Sequence, residues 1–113
     1  MLKVTERLKE LVSLNTGWDG YNAVPVSTEN AVFALKFIRD ICSDEIPFPQ
    51  IVPGTKGDLQ LEWHFRINKI EVHIYKPDDI MFILDDPIAH GQIDNGEIPT
   101  LKEVILKLMK ENS

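Results

Sequence analysis

Apolar and polar positions alternate along this chain with two different periods. In residues 2–13, Val4, Leu8, Leu11 and Val12 recur at spacings of three and four, with Lys3, Glu6, Lys9 and Glu10 mostly opposite. That spacing predicts an amphipathic helix, ended near Gly17 after Asn15 and Thr16. Residues 28–42 repeat the pattern with a wider apolar face of Val32, Ala34, Leu35, Phe37, Ile38 and Ile41. A face that wide implies contact with both a sheet and the first helix. Ser27 is a natural N-cap for it, because its hydroxyl accepts a backbone N–H of the first turn. From Asp58 the period becomes two: Leu59, Leu61, Trp63 and Phe65 point one way, and Gln60, Glu62, His64 and Arg66 the other. The alternation resumes in Ile70, Val72 and Ile74 against Glu71, His73 and Tyr75.

These two runs predict a β-hairpin with its tip at Asn68-Lys69. That tip pairs Phe65 with Val72 and Trp63 with Ile74, and sets Arg66 opposite Glu71, His64 opposite His73 and Glu62 opposite Tyr75. The opposite charges of Arg66 and Glu71 favour this register. A short strand precedes the hairpin at 50–53, after Pro47 and Pro49 have stopped helical continuation. Pro77-Asp78-Asp79 makes a second turn into a strand at 80–84, which is apolar throughout and therefore expected to be covered on both faces. Residues 87–98, with Gly91 and Asn95-Gly96 as breakers, read as a loop. Thr100 and Glu103 form a capping box for a last helix carrying Leu101, Val104, Ile105 and Leu108. The expectation is one α+β domain over residues 1–113: two N-terminal helices, a four-stranded antiparallel meander and a C-terminal helix.

Composition narrows the class. With 113 residues and 43% apolar, the chain can bury one sizeable core without disulfide staples. A single cysteine, Cys42, forms no internal disulfide, and no stretch resembles a signal peptide or the ~20 apolar residues of a membrane span. A cytoplasmic protein without a membrane partner is expected. The net charge of −6, from 18 acidic and 12 basic residues, disfavours nucleic acid and suits a basic protein partner.

Two local features carry the candidate chemistry. The first is the loop Gly17-Trp18-Asp19-Gly20-Tyr21-Asn22-Ala23, followed by Pro25 and Ser27. Its bracketing glycines imply tight turns, and Asp19 is placed to bond the local backbone. Trp18 and Tyr21 either plug the sheet end or present an aromatic anchor to a partner. The second is the polar hairpin face of Glu62, His64, Arg66, His73 and Tyr75, with Glu71 at its margin. It reads as a solvated face, as a partner-binding surface, or as a site where two histidines and a carboxylate hold a metal ion. Cys42 has no evident base and reads as a small core residue. The turn 54–57 lacks the spacing of a phosphate-binding loop, and the acidic pairs Asp78-Asp79 and Asp85-Asp86 lack the ligand ladder of a calcium loop.

The Trp18 loop, together with Pro47-Phe48-Pro49-Gln50-Ile51-Val52-Pro53, Gly57 and Leu61-Glu62-Trp63, resembles a family of small uncharacterised bacterial proteins. The resemblance spans residues 17–63 and implies a single domain; it implies no activity. The leading expectation is a non-enzymatic protein-interaction protein of bacterial or mobile-element origin, in its most concrete form a toxin-neutralising or inhibitory partner. It needs no cofactor and binds through Trp18, Asp19, Tyr21, Glu62, His64, Arg66, His73 and Tyr75. The alternative is a small metal-assisted hydrolase using His64, His73 and Glu62, with Asp19 as base. A homo-oligomer joined through the strand at 80–84 is compatible with either.

Overall fold

A computed structural model describes residues 2–42, 45–85, 90–94 and 98–111; for residues 85, 90–94, 98–100 and 111 the backbone alone is described. The order is α1 (Leu2–Val12), α2 (Thr28–Ile41), β1 (Gln50–Pro53), β2 (Leu59–His64), β3 (Lys69–Lys76), β4 (Asp79–Asp85), β5 (His90–Asp94) and α3 (Ile98–Glu111). The strands form one antiparallel meander, β1-β2-β3-β4-β5. The α+β architecture and the β1–β4 meander are as the pattern implies. The fifth strand is an addition: residues 90–94, within the stretch read as a loop at 87–98, pair beside β4, with Phe82 opposite Ile93 and Leu84 opposite Gly91. The breakers Asn95-Gly96 lie outside the described residues, as do Asp86 and Pro87. Helix α3 starts at Ile98, so Thr100 sits inside its first turn and not at the N-cap.

The helices lie on one face of the sheet. Leu59, Leu61 and Trp63 of β2, Ile70, Val72 and Ile74 of β3, and Ile80 and Phe82 of β4 form one buried cluster with helix residues. These include Leu8 and Leu11 of α1, Ile38 and Ile41 of α2, and Leu101 and Ile105 of α3. Helix α2 is the central one, touching α1, α3 and β3. Its N-cap is Ser27, whose hydroxyl accepts the Asn30 N–H at 3.1 Å.

The hairpin register differs from the expected one. Leu59 faces Ile74, Leu61 faces Val72 and Trp63 faces Ile70, while Phe65, Arg66, Ile67 and Asn68 form the turn, closed by Phe65 N–H donating to Asn68 O at 2.8 Å. Relative to a tip at Asn68-Lys69 the strands are offset by four positions. The expected register would have set Leu61 against Lys76 and Leu59 against Asp78, with Pro77 inside the ladder. The observed one matches three apolar pairs on the buried face, which outweighs a single Arg66–Glu71 contact of ~0.2–1 kcal/mol. Because the offset is even, each strand residue keeps the face that alternation assigned to it. A second expectation also fails: β4 is not covered on both sides. Ile80 and Phe82 are buried, but Met81 and Ile83 lie half-buried on the opposite face, against which no helix packs among the described residues.

Strands β3 and β4 are joined through Pro77 and Asp78, and Asp78 has a left-handed φ of 65°. That conformation costs an L-residue about 1–2 kcal/mol, and glycine adopts it freely. Asp78→Gly should therefore raise stability by about 0.5–1 kcal/mol once the greater freedom of the unfolded glycine is counted. A melting curve read against wild type checks this. The register shifts by one residue between Ile74 and Lys76, so Tyr75 sits in a β-bulge.

Candidate functional site

The Trp18 loop is fixed by its own polar groups. Gly17 and Gly20 take left-handed φ values of 82° and 85°, which lets the chain turn twice within four residues. The Asp19 carboxylate accepts the Tyr21 N–H at 2.9 Å and the Ala23 N–H at 3.2 Å. Gly17 N–H donates to Ala23 O, and the Trp18 indole N–H donates to Val24 O at 2.9 Å. The loop is then tied to the body: Val24 N–H donates to Thr55 O, Val26 N–H to Leu11 O and Ser27 N–H to Gly57 O. Asn30 adds to the tie, its buried amide donating to Gly57 O at 2.9 Å and to the bulged Tyr75 O at 3.3 Å.

These bonds sort the loop residues. Ala23 and Val26 are its buried plugs, Trp18 and Asp19 are half-buried and hold its shape, and Tyr21 projects with 83% of its surface exposed. Trp18 and Tyr21 therefore do not act as a pair. The tryptophan closes the loop on itself, and the tyrosine stands at its apex.

The second surface is the open sheet face. Cross-strand pairing lines up Gln50, Glu62, Glu71 and Ile83 in one row and Val52, Gln60, His73 and Met81 in the next. Glu62 and Glu71 stand directly opposite each other, a repulsive pair offset by neighbours along each strand. The Gln60 amide and the His64 ring (2.8 Å) hydrogen-bond Glu62. Lys69 (2.7 Å) and His73 (3.2 Å) hold Glu71. The Lys69 ammonium keeps the Glu71 carboxyl below the usual glutamate range, against an opposing push from burial and with further help from His73. Tyr75 extends the face, its ring 6.1 Å from that of His73.

Placement of the expected residues is mixed. Glu62, His64, His73 and Tyr75 share the open face, while Arg66 sits exposed in the β2–β3 turn at the far end of the sheet from the Trp18 loop. His64 pairs with Lys69, and His73 pairs with Gln60. The Glu62/Glu71 row thus lies between the histidines, which stand two row steps apart, about 13 Å along the strands at ~3.3 Å per residue. Each histidine hydrogen-bonds the glutamate two positions away on its own strand. Among the described residues no group of three or more His, Cys, Asp or Glu side chains is placed to hold a metal ion.

Gln60, Met81 and Ile83 belong to this face without having been singled out, although alternation along β2 and β4 would have placed them there. The Cys42 thiol donates to Pro47 O at 3.3 Å and is pushed up to about 11 by burial, so it stays protonated and inert at neutral pH. No helix of the described residues is long and apolar enough to cross a membrane. In comparisons with known proteins, no family model, no curated protein and no solved structure matches this chain.

Proposed function

We propose that this chain is a non-enzymatic protein-interaction module of bacterial or mobile-element origin, whose primary anchor is Tyr21. The observation that carries this reading is an aromatic side chain 83% exposed at the apex of a loop already fixed by Asp19 and Trp18. Tyrosine is enriched among binding hot spots, and a rigid loop lowers the ordering cost of association. The open sheet face, with Glu62, His64, His73 and Tyr75, supplies a second, polar contact. The net charge of −6 favours a basic partner and speeds its encounter. A neutralising or inhibitory role toward a basic protein is the most concrete form of the reading.

Affinity capture from the source cells tests it, with wild type, Tyr21→Ala and Trp18→Ala run side by side. Tyr21→Ala removes a solvated ring, so its stability should stay within ~0.5 kcal/mol of wild type. It should nevertheless lose a near-stoichiometric basic partner. Trp18→Ala should lose the partner together with some stability, because the loop relaxes. A partner retained at full yield by a folded Tyr21→Ala protein would overturn the assignment.

A further inference from the structure

The exposed face of α2 carries an apolar groove. Val32, 47% exposed, and the half-buried Phe33 form the apolar floor of a shallow groove of about 470 Å³, walled on one side by Pro77 and Asp78. Glu29 and Lys36 stand at its two ends along the helix, both exposed, and neither forms an ion pair among the described residues. Seven positions apart, they are separated by about 10 Å along the axis, too far to reach each other.

Two copies of such a helix, antiparallel about a two-fold axis, bring these groups together. With the axis between Val32 and Phe33, Val32 of one copy meets Phe33 of the other, and Glu29 of one copy meets Lys36 of the other. The two-fold repeats both contacts, so the apolar centre is closed by two opposite-charge pairs. We propose that the chain forms a homodimer through α2, with a second copy as the occupant of the groove. The argument for a second copy is charge complementarity along the helix: Glu29 and Lys36 are of opposite sign and placed so that the same helix face turned by 180° answers both, while Asp78 on the groove wall adds an acidic group beside them. The patch is small, so the dimer is a weak one, concentration-dependent in solution. This inference does not depend on the role given to Tyr21. Because the Trp18 loop leads into the N-terminus of α2, an antiparallel pair carries the two Tyr21 side chains at opposite ends.

Sedimentation velocity across a concentration series up to about 1 mM, where weak complexes are half formed, tests the proposal. Wild type should shift from monomer toward dimer. Glu29→Lys and Lys36→Glu each turn both ion pairs into like-charge contacts, so each alone should associate at least about tenfold more weakly. Mixed in equal amounts, the two variants restore complementarity at both pairs and should dimerise with each other. All these substitutions are on exposed helix positions, and circular dichroism verifies the fold of each. A wild type that stays monomeric throughout the series overturns the proposal. So does a wild-type dimer that both single variants keep unchanged, or a mixture that associates no better than its separate components.

Discussion

Trp63→Ala should lower stability by about 3–5 kcal/mol, a large share of what a domain of this size possesses. Trp63 is 2% exposed on β2, faces Ile70 across the ladder, and belongs to the cluster shared by sheet and helices. Removing its ring opens a cavity that rigid neighbours fill only in part. The indole N–H also donates to Pro47 O at 2.9 Å, pinning the Pro47-Phe48-Pro49 segment that leads into β1. Alanine therefore leaves the Pro47 carbonyl with only the weaker Cys42 thiol as donor, as well as a void. Trp63→Phe separates the two effects: it keeps most of the packing and should cost about 1–2 kcal/mol, the share of the lost hydrogen bond and the smaller ring. Urea denaturation of the three proteins gives the comparison. A loss below about 1 kcal/mol for Trp63→Ala would mean that the sheet–helix core does not close around this residue.

The second large effect is expected at a polar residue. Asn30 is 4% exposed at the start of α2, and its side-chain amide serves both Gly57 O and Tyr75 O. One carbonyl belongs to the β1–β2 turn, which also receives the Ser27 N–H, and the other to the bulge that breaks the β3–β4 ladder. A bulged residue has lost its regular ladder partner, so Asn30 supplies one from the helix side. Asn30→Ala should cost about 2 kcal/mol, since the Tyr75 carbonyl loses this donor and the Gly57 carbonyl keeps only the Ser27 N–H, partly offset by removal of the buried Asn30 Oδ1, which has no hydrogen-bond partner among the described residues. Ser27→Ala, which removes only the helix cap, should cost about 1 kcal/mol and serves as the reference. Hydrogen exchange should show the Asn30→Ala loss concentrated in the Trp18 loop and at Ser27, because these hang from the same tie. Equal costs for the two variants would remove Asn30 from that role.

The sequence displays the elements of this fold more openly than the ties between them. Helical spacing of Val4, Leu8 and Leu11, the Ser27 cap and the alternation from Leu59 to Ile74 are local signals, and each appears in the structure where the pattern places it. Register is a different kind of quantity. Alternation fixes which side a residue faces but is indifferent to a shift by an even number of positions, so the pattern puts Arg66 in a strand whereas it lies in the turn. The completeness of apolar matching from Leu59 to Ile74 decides the shift, and a single attractive charge pair does not. Strand β5 leaves no strand signal in the sequence because Gly91 and the nearby Asn95-Gly96 read as breakers, whereas an edge strand needs only one neighbour to bond to.

The candidate site was legible to a similar depth. Sequence marks the Trp18 loop as special through its glycines, and Asp19 as a backbone acceptor, and both are seen. It could not divide the labour between the two aromatic residues, because that depends on which one finds the Val24 carbonyl. Nor could it show that Asn30, in the first turn of α2, ties the helix to the Gly57 and Tyr75 carbonyls across 27 and 45 positions of sequence.

On the proposed reading Tyr21 binds while Trp18 and Asp19 hold it in place. Calorimetric titration of the captured partner into wild type and Tyr21→Ala measures that division directly. The expected result is a loss of affinity of about 30-fold or more, the scale of a hot-spot residue, with the melting temperature of the variant unchanged. Equal affinity for the two proteins would contradict the account and leave the exposed tyrosine without a part in recognition.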